Sequence, residues 1–210
     1  MKISSFGKVV RGKDHKICED GIFLNKKMKL FAVADGVTVP SGGKDAAEKS
    51  LKYLKRFFKG NLVESFEKTN KKIIDDRAKK FVGYTTLTAV KIDEGIAKIA
   101  NVGDSPAYLV YSGRIVPISG TDKIFGTQAL SQAIGEQKIV VHYSEEKIGS
   151  GNYILMMTDG ISDVLSKEEI LNIFAREKKP ENIAKRILGL AEKKQTVYND
   201  DKSIIVIQIL

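Results

Sequence analysis

The chain is poor in residues that cross-link, interrupt or span. It carries one cysteine, Cys18, in 210 residues, which excludes an internal disulfide and fits a reducing compartment. There are four prolines, and no Pro/Gly/Ser-rich linker, internal repeat or low-complexity tract divides the sequence. The longest mostly aliphatic run, 204–210, falls far short of the ~20 apolar residues that a bilayer-crossing helix needs. The first fourteen residues lack the apolar stretch of a secretion signal. A cytoplasmic location with no membrane partner is therefore expected. A hydrophobic share of 42% is enough for one domain over 1–210 with a full core.

Positive charge is plentiful. The net charge is +9, and between Lys49 and Lys80 eleven Lys/Arg stand against four Asp/Glu. No aromatic–basic stacking pattern accompanies these charges. The patch reads as the solvated face of two amphipathic helices, able to steer an anionic substrate, and no nucleic-acid partner is expected.

Hydrophobic periodicity sketches the fold. The apolar run 29–34 reads as a buried strand ending at Asp35, followed by a loop with Pro40, Ser41, Gly42 and Gly43. Strands are also expected over 2–10, 20–25, 83–92, 96–102, 107–111, 114–118, 138–143, 153–157 and 203–209. Ser112-Gly113 signals a two-residue hairpin. Between 83 and 118 the connections are too short for parallel crossovers, which predicts an antiparallel meander. One helix places Ala47, Leu51, Leu54 and Phe58 on one face and is closed by Gly60. A second carries Leu62, Phe66 and Ile73, and a short one is expected over 127–134. Ser166 with Glu169 forms a capping box. Pro180 opens a helix with Ile183, Ile187 and Leu190 on its inner face. Strands and helices fall in blocks, so the class is α+β, with helices packed outside antiparallel sheets.

Acidic residues cluster at the strand ends: Glu19-Asp20, Asp35-Gly36, Gly103-Asp104-Ser105, Asp159-Gly160 with Asp163, and Asp200-Asp201. Any one of them reads as a turn. Converging, they would repel one another unless a hard cation joined them. A carboxylate metal site, and with it metal-assisted hydrolysis, is the chemistry this pattern suggests.

In this order the segments resemble the metal-dependent protein Ser/Thr phosphatases, the type-2C or PPM family. The matching stretches are Cys18-Glu19-Asp20, Val33-Ala34-Asp35-Gly36, Gly83-Tyr84-Thr85-Thr86, Asn101-Val102-Gly103-Asp104-Ser105-Pro106-Ala107-Tyr108, Thr158-Asp159-Gly160-Ile161-Ser162-Asp163 and Asp200-Asp201-Lys202-Ser203. The resemblance implies two packed antiparallel β-sheets flanked by α-helices, with a two-metal Mn²⁺ or Mg²⁺ centre at one end. It implies that Asp35, Asp159 and Asp200 form the catalytic set, with Asp35 bridging the metals and the Gly36 carbonyl joining one of them. Glu19 and Asp20 are implied as ligands or as holders of metal-bound waters, and Asp104 and Asp163 as the place of a weaker third ion. The implied reaction is hydrolysis of phosphoserine and phosphothreonine in a protein by hydroxide attack at phosphorus, without a covalent intermediate. The implied partner is a phosphorylated protein that a Ser/Thr kinase supplies, and the expected state is a monomer.

Several positions depart from the family pattern. His15 stands where the family has a phosphate-binding arginine, which leaves His15 and Lys16, or Lys13 and Arg11, to meet the phosphate. The loop after Gly36 has no histidine to serve as a general acid. Pro106 replaces an arginine, Cys18 replaces an asparagine, and the region 119–134 is short, which implies a reduced or missing flap and an open site. His142 lies in a strand pattern and reads as structural. Two alternatives stay open: a catalytically silent partner-binding module, and a phosphohydrolase for small phosphoesters.

Overall fold

The fold was described from a computed structural model, in which residues 1–39, 41–80, 82–127, 129–194 and 199–210 are described. Pro40, in the loop expected after Asp35, lies outside the described residues. In chain order the elements are β1 (Ile3–Val10), β2 (Gly21–Asn25), β3 (Leu30–Ala34), α1 (Gly43–Phe57), α2 (Leu62–Arg77), β4 (Leu87–Asp93), β5 (Ile96–Val102), β6 (Ala107–Tyr111), β7 (Arg114–Pro117), β8 (His142–Lys147), β9 (Tyr153–Met157), α3 (Asp159–Ser162), α4 (Lys167–Arg176), α5 (Pro180–Lys194) and β10 (Lys202–Ile209).

The strands form two five-stranded sheets, β1-β10-β9-β6-β7 and β2-β3-β4-β5-β8, and every pairing within them is antiparallel. The alternation of side chains along a strand builds the layers. In β3, Phe31 and Val33 join the core between the sheets, while Leu30, Ala32 and Ala34 join the core shared with α1 and α2. In β10, Ile205, Ile207 and Ile209 face the central core, and Ile204 and Val206 face α4 and α5. Both central strands are buried on both sides, which explains why they read as unbroken apolar runs. The result is the expected sandwich, helices outside and sheets inside.

Three local expectations are corrected. The region 83–118 is not one meander. β4 and β5 form a hairpin in one sheet and β6 and β7 a hairpin in the other, so 103–106 carries the chain across the sandwich. Gly103 makes the crossing at φ +99, and the Ser105 hydroxyl meets Thr86 Oγ1 at 2.7 Å.

The helix expected over 127–134 is absent among the described residues, with Gln128 outside them. Its backbone groups pair sideways instead: Ile124 N–H donates to the Ala129 carbonyl, Ser131 N–H to that of Asp122, and Ile134 and Thr85 exchange bonds of 2.9 and 3.2 Å. The strand expected over 138–143 starts only at His142. The Gln132 amide occupies both backbone groups of Val140, at 2.7 and 2.9 Å, and so removes them from any ladder.

Candidate active site

The registers dictate where the carboxylates meet. Gly21 lies opposite Ala34, so Asp20 and Asp35 leave β2 and β3 at the same end. Ile204 lies opposite Met157, so the residues before β10 and after β9, Asp200 and Asp159, leave the other sheet together. Leu87 lies opposite Val102, which brings Asp104 to the end of β5 beside Thr86. Asp35 is held by Thr86 and Thr85: its N–H donates to Thr86 Oγ1 at 3.0 Å, and its carbonyl accepts from Thr85 Oγ1 at 2.8 Å.

Two glycines are needed for close approach. A β-carbon on Gly36 would lie 2.4 Å from the Gly43 carbonyl carbon, and one on Gly160 would lie 1.9 Å from the Asp201 carbonyl oxygen. Each Asp-Gly pair therefore sets a carboxylate on a turn that a side chain at the second position would block.

The assembled carboxylates suit cations and repel one another. Burial, together with the charges of Asp20 and Asp159, pushes the Asp35 carboxyl well above the ordinary range, and its side chain is hydrogen-bonded to Asp159. Burial raises Asp20 to about 7, although the Thr158 hydroxyl, donating at 2.8 Å, pulls the other way. Burial and the Asp159 charge raise Asp104 and Asp200 to about 6 each. Asp20 Oδ1 is buried with no hydrogen-bond partner among the described residues. Carboxylates around an orphaned oxygen make an all-oxygen donor set of the kind that fits Mg²⁺ or Mn²⁺.

Asp201, to which no role was assigned above, organises the 11–19 loop. It is 3% exposed and accepts the Gly12 N–H and the Glu19 N–H at 2.7 Å each, while His15 Nδ1 meets it at 2.8 Å. His15 Nε2 lies 3.4 Å from Asp200 Oδ1, and a ligand atom from each of His15, Asp200 and Asp201 lies within 4.8 Å of the others. His15 is thus packed against the acidic cluster rather than displayed on an exposed loop. Burial works against its imidazolium, but the Asp201 hydrogen bond and the charges of Asp201, Asp200 and Glu19 outweigh that and raise its pKa. Lys16 is exposed. Arg11 Nη1 donates to the carbonyls of His15 and Lys16 at 2.5 and 3.3 Å, which ties its guanidinium to the loop backbone.

Other partners were given no role by the motif. Lys202 is 1% exposed, its ammonium lowered in pKa by burial and donating to Asn199 Oδ1 and the Asp200 carbonyl at 2.9 and 2.8 Å. His142, as expected, is structural: its Nε2 meets Asp122 Oδ1 at 2.7 Å, and Asp122 Oδ2 accepts the Gly103 N–H at 2.7 Å. Asp163 and Asp104 both contact the Lys123 ammonium. Cys18 is half-buried, and burial pushes its thiol up to about 12, which leaves it without thiolate character at neutral pH. Asp201 and Lys202 lay inside a matching stretch without a role attached, and Asp122 carried no signal in the sequence.

Comparison with known proteins agrees with this fold. The family model for Stage II sporulation protein E (SpoIIE) matches residues 44–210. A probable protein phosphatase 2C 9 of Arabidopsis thaliana is 26% identical over 95% of this chain and 86% of its own length. The probable protein phosphatase 2C 69 of the same plant is 25% identical over 86% of this chain, which spans 61% of that relative. Among solved structures, the Mycobacterium tuberculosis serine/threonine phosphatase PstP/Ppp superposes with a TM-score of 0.89 at 20% identity, covering 100% of this chain and 99% of that one. PppA, described as a key regulatory component of T6SS in Pseudomonas aeruginosa, superposes at 0.90 with 16% identity, covering 100% and 99%. The catalytic domain of PstP in complex with two manganese ions superposes at 0.86 with 20% identity, covering 98% and 97%. The chain belongs to the SpoIIE family and is a member of the type-2C (PPM) Ser/Thr phosphatases. By class it is a phosphoprotein phosphatase.

Proposed function

We propose that residues 1–210 act as one catalytic domain that hydrolyses phosphoserine and phosphothreonine in a protein phosphorylated by a Ser/Thr kinase. The observation that carries this reading is the convergence of Asp20, Asp35, Asp159 and Asp200 from both sheets at one end of the sandwich, where burial and the neighbouring charges raise the carboxyls of Asp20, Asp35 and Asp200. Asp35, the Gly36 carbonyl, Asp159 and Asp200 would hold two Mn²⁺ or Mg²⁺ ions, with Glu19 and Asp20 as further ligands or as acceptors for their waters. When bound, such ions lower the pKa of water and offset phosphoryl charge.

The chain's own residues do the rest. Thr85 and Thr86 fix Asp35, and Thr158 fixes Asp20. Asp201 holds the 11–19 loop with His15 anchored to Asp200 and Asp201, which leaves the exposed Lys16 to meet a phosphate first and His15 only if it exchanges a carboxylate for it. Positioning and charge stabilisation of this kind supply most of the catalysis in phosphoryl transfer.

The test is release of phosphate from a phosphothreonine peptide and from p-nitrophenyl phosphate, with Mn²⁺, Mg²⁺ or EDTA. Metal-dependent turnover of the peptide is expected, abolished by EDTA and reduced at least ~100-fold by Asp159→Asn. Turnover of the small ester alone would move the assignment to a small-phosphoester hydrolase. No turnover from folded protein would make it a silent binding module.

A further inference from the structure

Resting on the metal centre just proposed, one lysine has a defined place beside it. Lys123 follows Asp122, and Asp122 is fixed from several sides. Its carboxylate is buried against His142 and the Gly103 N–H. Its backbone N–H donates to the Gly103 carbonyl at 3.1 Å, and its carbonyl accepts the Ser131 N–H at 2.7 Å. Lys123 itself pairs with Leu130 in an isolated bridge. Gly120 sits so tightly under the His142 ring that a β-carbon would fall 2.5 Å from Cγ. The backbone that carries Lys123 is therefore anchored, and only its flexible stem remains to be ordered.

That stem delivers the ammonium to two carboxylates from different elements. Nζ donates to Asp163 Oδ2, just after α3, and lies 3.8 Å from Asp104 Oδ2, between β5 and β6. Asp104 is almost fully buried, and Lys123 is about three-quarters buried. The negative field at the ammonium comes from Asp163, Asp104 and Asp159. An acidic pair beside a cation centre would otherwise recruit a mobile ion. A lysine ammonium is a compact point charge with donors and no acceptor, and it neutralises carboxylates without offering a coordination site.

We propose that Lys123 is a tethered cation that occupies the Asp104–Asp163 pair, so that these two carboxylates pair with the protein's own charge and the centre holds two metal ions rather than three. Lys123 is then a positioning residue: it fixes Asp104 and Asp163 beside Asp159 at all metal concentrations.

Isothermal titration of the metal-free full chain with MnCl₂ tests this without reference to activity. Wild type is expected to bind two Mn²⁺ per chain. Lys123→Met, of similar length and without charge, is expected to gain a third and weaker site, which the double variant Lys123→Met/Asp163→Asn loses again. Lys123→Arg keeps the cation and should stay at two. A third Mn²⁺ in wild type, or a stoichiometry of two in Lys123→Met shown to be folded by circular dichroism, overturns the tethered cation while leaving the two-metal reading intact. No Mn²⁺ uptake by wild type overturns both, and the phosphatase test would register that loss separately.

Discussion

At the scale of single residues, the candidate site depends on buried polar atoms that lie outside the proposed ligand set. Asp201 is the clearest case: two backbone N–H groups and an imidazole all converge on one buried carboxylate. Replacing it by alanine strands all three partners, and hydrogen bonds to a buried charge are among the costlier ones to break. Asp201→Ala should therefore lose roughly 3 kcal/mol in urea unfolding and loosen the 11–19 loop. A variant within about 0.5 kcal/mol of wild type would show that Asp201 does not organise the loop. The position was quoted in the sequence motif, yet its role is a matter of direction. The sequence shows two adjacent aspartates, and only the backbone decides that one turns toward the cluster and the other back under the loop.

At the scale of elements, legibility followed hydrogen bonding. α4 was readable because its start is written in side chains: Ser166 accepts from the Glu169 N–H at 3.2 Å, and Glu169 accepts from the Ser166 N–H at 3.0 Å. Ser166→Ala should cost about 1 kcal/mol, measured as a lowered midpoint in chemical denaturation; an unchanged midpoint would mean that α4 gains nothing from its cap. The hairpin turn at Ser112-Gly113 was readable for the same local reason, and a second turn shares its geometry. Glu94-Gly95 and Ser112-Gly113 both hold positive φ at their two central positions, as a tight right-twisted hairpin requires. The region 119–141 was not readable. Its apolar residues resemble a helix followed by a strand, but its polar groups are spent on distant partners, namely Asp122 on Gly103 and His142, Gln132 on Val140, and Ile134 on Thr85. Local propensity yields to such tertiary pairing, and one sequence does not reveal it. The crossing at 103–106 was missed for a related reason, since a turn inside a sheet and a turn between sheets share the same Gly-Asp-Ser chemistry.

At the scale of the whole molecule, the carboxylate cluster makes stability depend on pH and metal together. In the metal-free protein Asp20, Asp104 and Asp200 hold their protons to about 7, 6 and 6, against an ordinary 3.8. Across that window the folded chain keeps protons that the unfolded chain has released, so stability falls as pH rises from roughly 4 to 7. His15, also raised, acts in the same direction: its contribution is present below the unfolded pKa and lost as pH rises through the folded one. Calorimetry of EDTA-treated protein should give a melting temperature at least about 5 °C higher near pH 5.5 than near pH 7.5. Saturating Mn²⁺ should remove most of that difference by stabilising the ionised site at the higher pH. A flat or inverted profile for the metal-free form would contradict a buried, mutually repelling cluster.

The cluster also draws half its members from each sheet, Asp20 and Asp35 from one and Asp159 and Asp200 from the other. In the proposed centre an ion is therefore a rivet through the seam of the sandwich. The layers cannot part or slide without shedding it, so filling the site and stiffening the body in shear become one event.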